Sequence, residues 1–432
     1  MNSRRQYFAA LYFRSIYMLI PLANGRHSGY KRVLPALVFL LTTVACRPAT
    51  STVTPAPPAG TLTLIGDGTT NQTKPLQRAI DSCGAAGGGT LIIPAGTYLI
   101  SPITLRSRVT LQLSAGATLL ASTDAADYSG KFSNLINGDS LTNVSLTGQG
   151  TIDGNGAVWW QRYLDSGKTL NRPRLIYITR STDLTVDGLT LTNSPSFHLV
   201  PYLCQNVTLK NLTITAPATS PNTDGIDPAN CTHVVIDNCT IDTGDDNIAI
   251  KGGRSNGQLV QSCRDIQISN CRFLHGHGLS VGSETSSGVA DVAVSNCTFT
   301  GTTNGIRIKS QTGLGGSVQN LAYSKITMTD VTSPLVIDLA YALNANDNYP
   351  TDIPAIGNVT ISQLTATGAK SAGSLVGLTN SLLQNLTFSS VQISAQTGLI
   401  LQNARNVTMS ACRIQAASGQ PVITQNVTGT GF

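Results

Sequence analysis

CTHVVIDNCTIDTGDDNIAIK, residues 231–251, can be laid over CRDIQISNCRFLHGHGLSVG (263–282) and VADVAVSNCTFTGTTNGIRIK (289–309) without a gap through the first half of each. Each copy alternates apolar and polar residues, reaches Asn-Cys, starts a second short strand and turns. Looser copies are DLTVDGLTLTNS (183–194), NVTLKNLTITAP (206–217), NVTISQLTATG (358–368) and LLQNLTFSSVQIS (382–394). A repeat of roughly 23 to 32 residues built from period-2 strands predicts a solenoid whose rungs stack over one continuous core. No copy holds the amphipathic helix that a helical or leucine-rich repeat requires. The expected fold is therefore all-β, a single right-handed parallel β-helix with rungs about 4.8 Å apart. Cys239, Cys271 and Cys297 then read as stacked core residues, and the Asn positions as ladders inside the coil or at a strand bend. TKPLQRAIDSCG (73–84) reads as the helix capping the N-terminal end, closed by its glycine.

Composition agrees with many short strands and tight turns: 41 glycines, 5% aromatic residues, and Thr, Ser, Asn, Val and Ile throughout. The formal charge of +6 is misleading as a sign of an acidic partner. Six of the 28 basic residues fall in residues 1–45, which hold no acid, leaving 22 basic against 22 acidic. Nucleic-acid binding loses its support.

Those early cations precede VLPALVFLLTTVAC (33–46), an apolar run of signal-peptide length, too short to span a membrane comfortably. Residues 1–45 are read as a leader, with Met18 as an alternative start. TVAC resembles a bacterial lipobox, with Thr43 where leucine is usual, so Cys46 is the candidate lipidation site and plain secretion the alternative. Residues 46–60, rich in Pro, Thr and Ala, read as a tether, and 61–432 as the β-helix domain. Eight cysteines remain after Cys46, an even number that permits disulfides in an exported protein.

Stacking makes neighbours of positions one rung apart. SPNTDGIDP (220–228) offers Asp224; DTGDDNIAIKG (242–252) offers Asp245 and Asp246; HGHG (275–278) aligns His277 with one or other of that pair; and NGIRIK (304–309) turns Ile306 and Ile308 inward, Arg307 and Lys309 outward. Each motif alone is an ordinary turn or strand edge. Together they gather three acids, a histidine and two cations on one outer face.

These motifs, NTDG (222–225), GDD (244–246), GHG (276–278) and RIK (307–309), resemble glycoside hydrolase family 28, the polygalacturonases, in order and spacing, with GTLIIPAGTYLISPITL and GQGTIDGNGAVWW extending the resemblance across residues 61–432. The resemblance implies hydrolysis of α-1,4-galacturonosyl linkages, with Asp245 as general acid and Asp224 and Asp246 activating water. It makes His277 the partner tuning that acid, and places Asn222, Arg307, Lys309 and Tyr341 on the substrate. Tyr349 is the alternative tyrosine. Inverting hydrolysis needs one protonated and one ionised carboxyl, and the expectation is that Asp224 and Asp246, once ionised, raise Asp245. A mildly acidic optimum follows.

The closest rival is a Ca²⁺-dependent pectate lyase, with the three acids as metal ligands; from another class, a non-catalytic β-helix adhesin or carbohydrate binder. The expected partner is pectic polysaccharide, with no cofactor and no metal. The chain is read as a monomer, touching membrane only through a lipid on Cys46, and endo attack is favoured over exo.

Overall fold

In a computed structural model of the chain, the residues described are 64–130, 133–253, 261–341 and 352–432. The expected leader, the tether, Cys46 and Tyr349 lie outside them. Nearly every strand pairs in parallel with its counterpart one rung away, in a 25-stranded and a 4-stranded sheet, which is the right-handed parallel β-helix. Apolar alternation builds it: Val234 stacks between Val207 and Ile266, and Ile236 between Leu209 and Ile268. All six are buried in one unbroken core.

The three overlaid stretches are successive rungs. Thr232 pairs with Arg264, which pairs with Ala290, while the turns differ by one residue, so that Ile248 pairs with Leu279 and Leu279 with Ile306. Cys239, Cys271 and Cys297 are buried, unpaired and stacked, and Cys204, Cys231 and Cys263 form a second buried column. All eight described cysteines are free thiols. The asparagines stand outside, at the bend. Asn211, Asn238, Asn270 and Asn296 take φ of 53–57°, a left-handed conformation asparagine tolerates better than most residues. Asn238 donates to Asn211 at 2.8 Å and Asn296 to Asn270 at 2.6 Å.

The cap is the helix Thr73–Ala85, burying Leu76 and Ile80. Gly84 does not end it, contrary to expectation, but lies in its last turn. A Cβ there would sit 2.7 Å from Arg106 Cβ, so glycine is present for close approach. A second helix, Ala157–Asp165, was not anticipated. Its WW pair interrupts the strand repeat; Trp159 is buried with Tyr128 edge-on at 5.3 Å, and Trp160 donates to Ser194 O at 3.1 Å.

One face of the coil positions the motifs. Its strands are Ile103–Thr104, Ile136–Asp139, Ile176–Thr179 and Leu199–Tyr202, continued through the bridges Leu199–Ile226 and Ile226–Ile248 into Ile248–Ile250, Leu279–Gly282, Asn304–Lys309 and Ser333–Asp338. The isoleucines and leucines of these strands point into the core. Every other side chain, Arg307 and Lys309 among them, is left for the outer surface.

Candidate active site

Two tight turns hold the acids on that face. In the GDD turn the buried Asn247 carries the geometry: its Nδ2 donates to Ile241 O at 3.0 Å and His275 O at 2.8 Å, and its Oδ1 accepts from Gly278 N–H at 2.9 Å. One amide therefore ties the GDD rung to the GHG rung. The preceding rung is tied by Thr223, whose Oγ1 accepts from Gly244 N–H at 3.0 Å. Gly276 has φ +99°, and a Cβ there would lie 2.4 Å from Asp245 O. The close backbone lets His277 N–H donate to Asp245 O at 2.9 Å.

The candidate catalytic and substrate-contacting residues inferred from the sequence, Tyr349 apart, come together. His277 Nδ1 is 3.1 Å from Asp245 Oδ1 and 4.0 Å from Asp246 Oδ1, so its partner is Asp245. Asn222 Nδ2 approaches Asp245 Oδ2 at 3.4 Å. Asp246 is enclosed: Ser280 donates to Oδ1 at 2.8 Å, Arg307 Nη1 lies 3.3 Å from the same oxygen, and Lys309 Nζ is 2.7 Å from Oδ2. Tyr341 lies against both cations, 5.4 Å from its ring centroid to each. Thus Arg307 and Lys309 are both engaged with Asp246.

Sequence reasoning missed a second set. Lys251 Nζ lies 2.8 Å from Asp227 Oδ2 and 3.7 Å from Asp224 Oδ2. The 2.8 Å contact is a buried ion pair, and Asp224 Oδ1 is buried with no hydrogen-bond partner. Arg172 also escaped notice. It donates to Pro195 O, to Pro221 O and, at 2.8 Å, to Asn222 Oδ1, with its guanidinium 3.7 Å above the Tyr163 ring. It fixes the asparagine that reaches Asp245. His198, fully buried, completes the support: Nδ1 lies 3.0 Å from Asp224 O and Nε2 accepts from Ser194 N–H at 3.4 Å. Burial pushes it down to about 4, so the ring is neutral at ordinary pH.

The expected electrostatic assignment is reversed. Burial raises Asp245, but the hydrogen bond and charge of His277, the Asp246 amide and Lys309 outweigh it and hold that carboxyl below its usual range. The carboxyl held up is Asp224. Burial raises it most, Asp227 adds to this, and Lys251 offsets only part. Burial likewise lifts Asp227 to about 6. Counting adjacent like charges was misleading because the fold brings His277 and Lys309 to one pair of acids and leaves Lys251 shared by the other.

The three acids also differ in reach. The Asp245 side chain is 21% exposed, against 6% for Asp224 and 3% for Asp246. Asp245, Asp246 and His277 have donor atoms within 4.8 Å of one another, a group that could hold a metal ion. The set suits Ca²⁺ poorly: Ca²⁺ takes six to eight oxygens, whereas here one ligand is an imidazole and one carboxylate already faces Lys309 and Arg307. Proton transfer at Asp245, beside Asp246 and the wall of Arg307 and Lys309 that faces it, is the chemistry the arrangement supports.

The family model described as "Glycosyl hydrolases family 28" matches residues 83–416. The chain is 33% identical over 354 residues to a probable polygalacturonase of Vitis vinifera, covering 76% of this chain and 72% of that one. It is 37% identical over 323 residues to an endo-polygalacturonase of Pectobacterium carotovorum subsp. carotovorum, covering 68% and 78%. Among solved structures it resembles an exopolygalacturonase from Thermotoga maritima, with a TM-score of 0.68 and 25% identity, covering 85% and 90%.

Proposed function

The chain belongs to glycosyl hydrolases family 28, and from that premise we propose that it hydrolyses the α-1,4-galacturonosyl linkages of polygalacturonate with inversion, using Asp245 as the acid. The observation that carries the choice of acid is exposure. Asp245 is the one carboxyl of the three with open surface to meet a glycosidic oxygen, and it is hydrogen-bonded to His277, so the pair can hold the transferable proton between them. Asp246, held against Lys309 and Arg307, and Asp224 orient the attacking water, and Asp246 takes its proton. A galacturonate carboxylate arriving at Arg307 and Lys309 draws their charge from Asp246 and adds a negative charge near Asp245. Both changes favour the protonated acid.

A second reading has one observation in its favour. Asp224 is the carboxyl whose hold on a proton burial strengthens, and environments that push two acids apart commonly mark the acid and the base. Leaving-group dependence separates the two. On polygalacturonate, Asp245→Asn loses about 10²–10⁴-fold in kcat, and an aryl galacturonide with an acidic leaving group recovers most of it; Asp224→Asn loses activity on both. The opposite pattern assigns the acid to Asp224.

Endo attack belongs to the same proposal; its support is that the outer face of the cleft sheet continues on the N-terminal side through Leu199–Tyr202, Ile176–Thr179 and Ile136–Asp139. So does export through the leader at 1–45, with a lipid on Cys46, which rests on the sequence and is checked by mass spectrometry of the mature N-terminus.

A further inference from the structure

Arg172 stands outside the repeat, between the helix Ala157–Asp165 and the strand Ile176–Thr179, yet its guanidinium ties two rungs together. Nη1 donates to Pro195 O at 2.9 Å and to Pro221 O at 2.6 Å, and Nη2 donates to Asn222 Oδ1 at 2.8 Å. The last contact decides which way the amide faces. With Oδ1 taken by a cation, Nδ2 is the end left for Asp245 Oδ2, 3.4 Å away. A flipped amide would set oxygen against carboxylate and NH2 against guanidinium, and both hydrogen bonds would be lost.

The helix supplies the seat for Arg172. The Tyr163 ring lies against the guanidinium at 3.7 Å, a cation–π contact between two half-buried side chains. The helix is itself fastened to the coil, because Trp159 is buried and Trp160 Nε1 donates to Ser194 O at 3.1 Å. Contacts therefore run without a break from the helix through Tyr163, Arg172 and Asn222 to Asp245. His277 Nδ1 meets the other Asp245 oxygen, Oδ1, at 3.1 Å. Two partners on two oxygens fix the plane of the carboxyl as well as its position.

We propose that Arg172, seated on Tyr163, is a positioning residue that acts through Asn222 to hold the Asp245 carboxyl toward the glycosidic oxygen. The proposal rests on the reading of Asp245 as the acid. It gives the aromatic helix, which interrupts the strand repeat, a part in catalysis without contact to the reacting atoms. Its effect is confined to substrates whose leaving group needs the proton, since a misplaced acid costs nothing where the leaving group departs unaided.

The test measures kcat and KM of the full chain on polygalacturonate and on an aryl galacturonide with an acidic leaving group, with Asp245→Asn as reference. Arg172→Met is expected to lower kcat on polygalacturonate by about 10–10²-fold, to leave KM within about twofold, and to lose little on the aryl substrate. Tyr163→Leu should give the same pattern with a smaller loss, and it covers the case in which Arg172→Met fails to fold. Added to Asn222→Ala, Arg172→Met should cost little more, because the two act in series. A raised KM with kcat unchanged makes Arg172 a substrate contact, and equal losses on both substrates make it scaffold only. Additive losses in the double variant show that it does not act through Asn222. Each of these overturns the proposal and leaves Asp245 as the acid, provided Asp245→Asn recovers on the aryl substrate. If Asp245→Asn does not recover there, the acid assignment falls and the proposal with it.

Discussion

Lys251 Nζ lies 2.8 Å from one buried carboxyl, Asp227, and 3.7 Å from another, Asp224. One ammonium thus serves two acids beneath the cleft, as Lys309 serves Asp246 at 2.7 Å beside it. Removing one member of a buried ion pair leaves the other charge uncompensated. Lys251→Met should therefore cost about 3–5 kcal/mol of stability, read by denaturant unfolding. Asp227→Asn in the same chain should recover a large part of that loss. Equal, additive losses in the double variant would show that the pair is not coupled.

Burial raises both Asp224 and Asp227, the latter to about 6. Above the unfolded aspartate value of about 3.9, the native state then holds more protons than the unfolded chain. The contribution of Asp227 is complete below that pH and is lost as pH rises through about 6; that of Asp224 is lost in the same direction. Asp245, held low, acts in the opposite sense and loses its contribution as pH falls below about 4. Unfolding free energies measured from pH 4 to 8 should thus fall less steeply in Asp227→Asn than in the wild type. Identical slopes would mean that Asp227 is ionised throughout.

The coil and the outline of the site were legible because a stacked repeat turns sequence alignment into spatial adjacency. Laying residues 231–251 over 263–282 placed His277 beside the aspartate pair, and the strand alternation of NGIRIK sent Arg307 and Lys309 to the same face. What escaped notice lies off that logic. Asp227 and Lys251 both stand in quoted motifs, but their contact is diagonal: Ala229, two residues after Asp227, is the rung partner of Lys251. A lysine ending the apolar run IAIK was the available signal. Arg172 comes from a segment between the helix Ala157–Asp165 and the next strand, outside any repeat. The reversal of Asp224 and Asp245 depends on burial, which composition does not report.

Gly276 marks where the backbone itself is the constraint. Gly276→Ala would place a Cβ 2.4 Å from Asp245 O at φ +99°, a conformation costing an L-residue about 1–3 kcal/mol. The turn must open, and His277 moves from Asp245. Activity on polygalacturonate should fall by more than the stability loss explains when thermal unfolding and kcat/KM are compared on one preparation. A stable variant with full kcat/KM would show that the contact between His277 and Asp245 is dispensable.

The central claim, hydrolysis by proton transfer from Asp245, is tested most directly by the products. Purified protein should be incubated with polygalacturonate, with and without chelator, following reducing ends, ultraviolet absorbance and the anomeric configuration of the first product. New reducing ends of inverted configuration, no ultraviolet-absorbing uronate and no effect of chelator are the expected results. Ultraviolet-absorbing products that disappear with chelator would contradict the account and make the carboxylates metal ligands of a lyase.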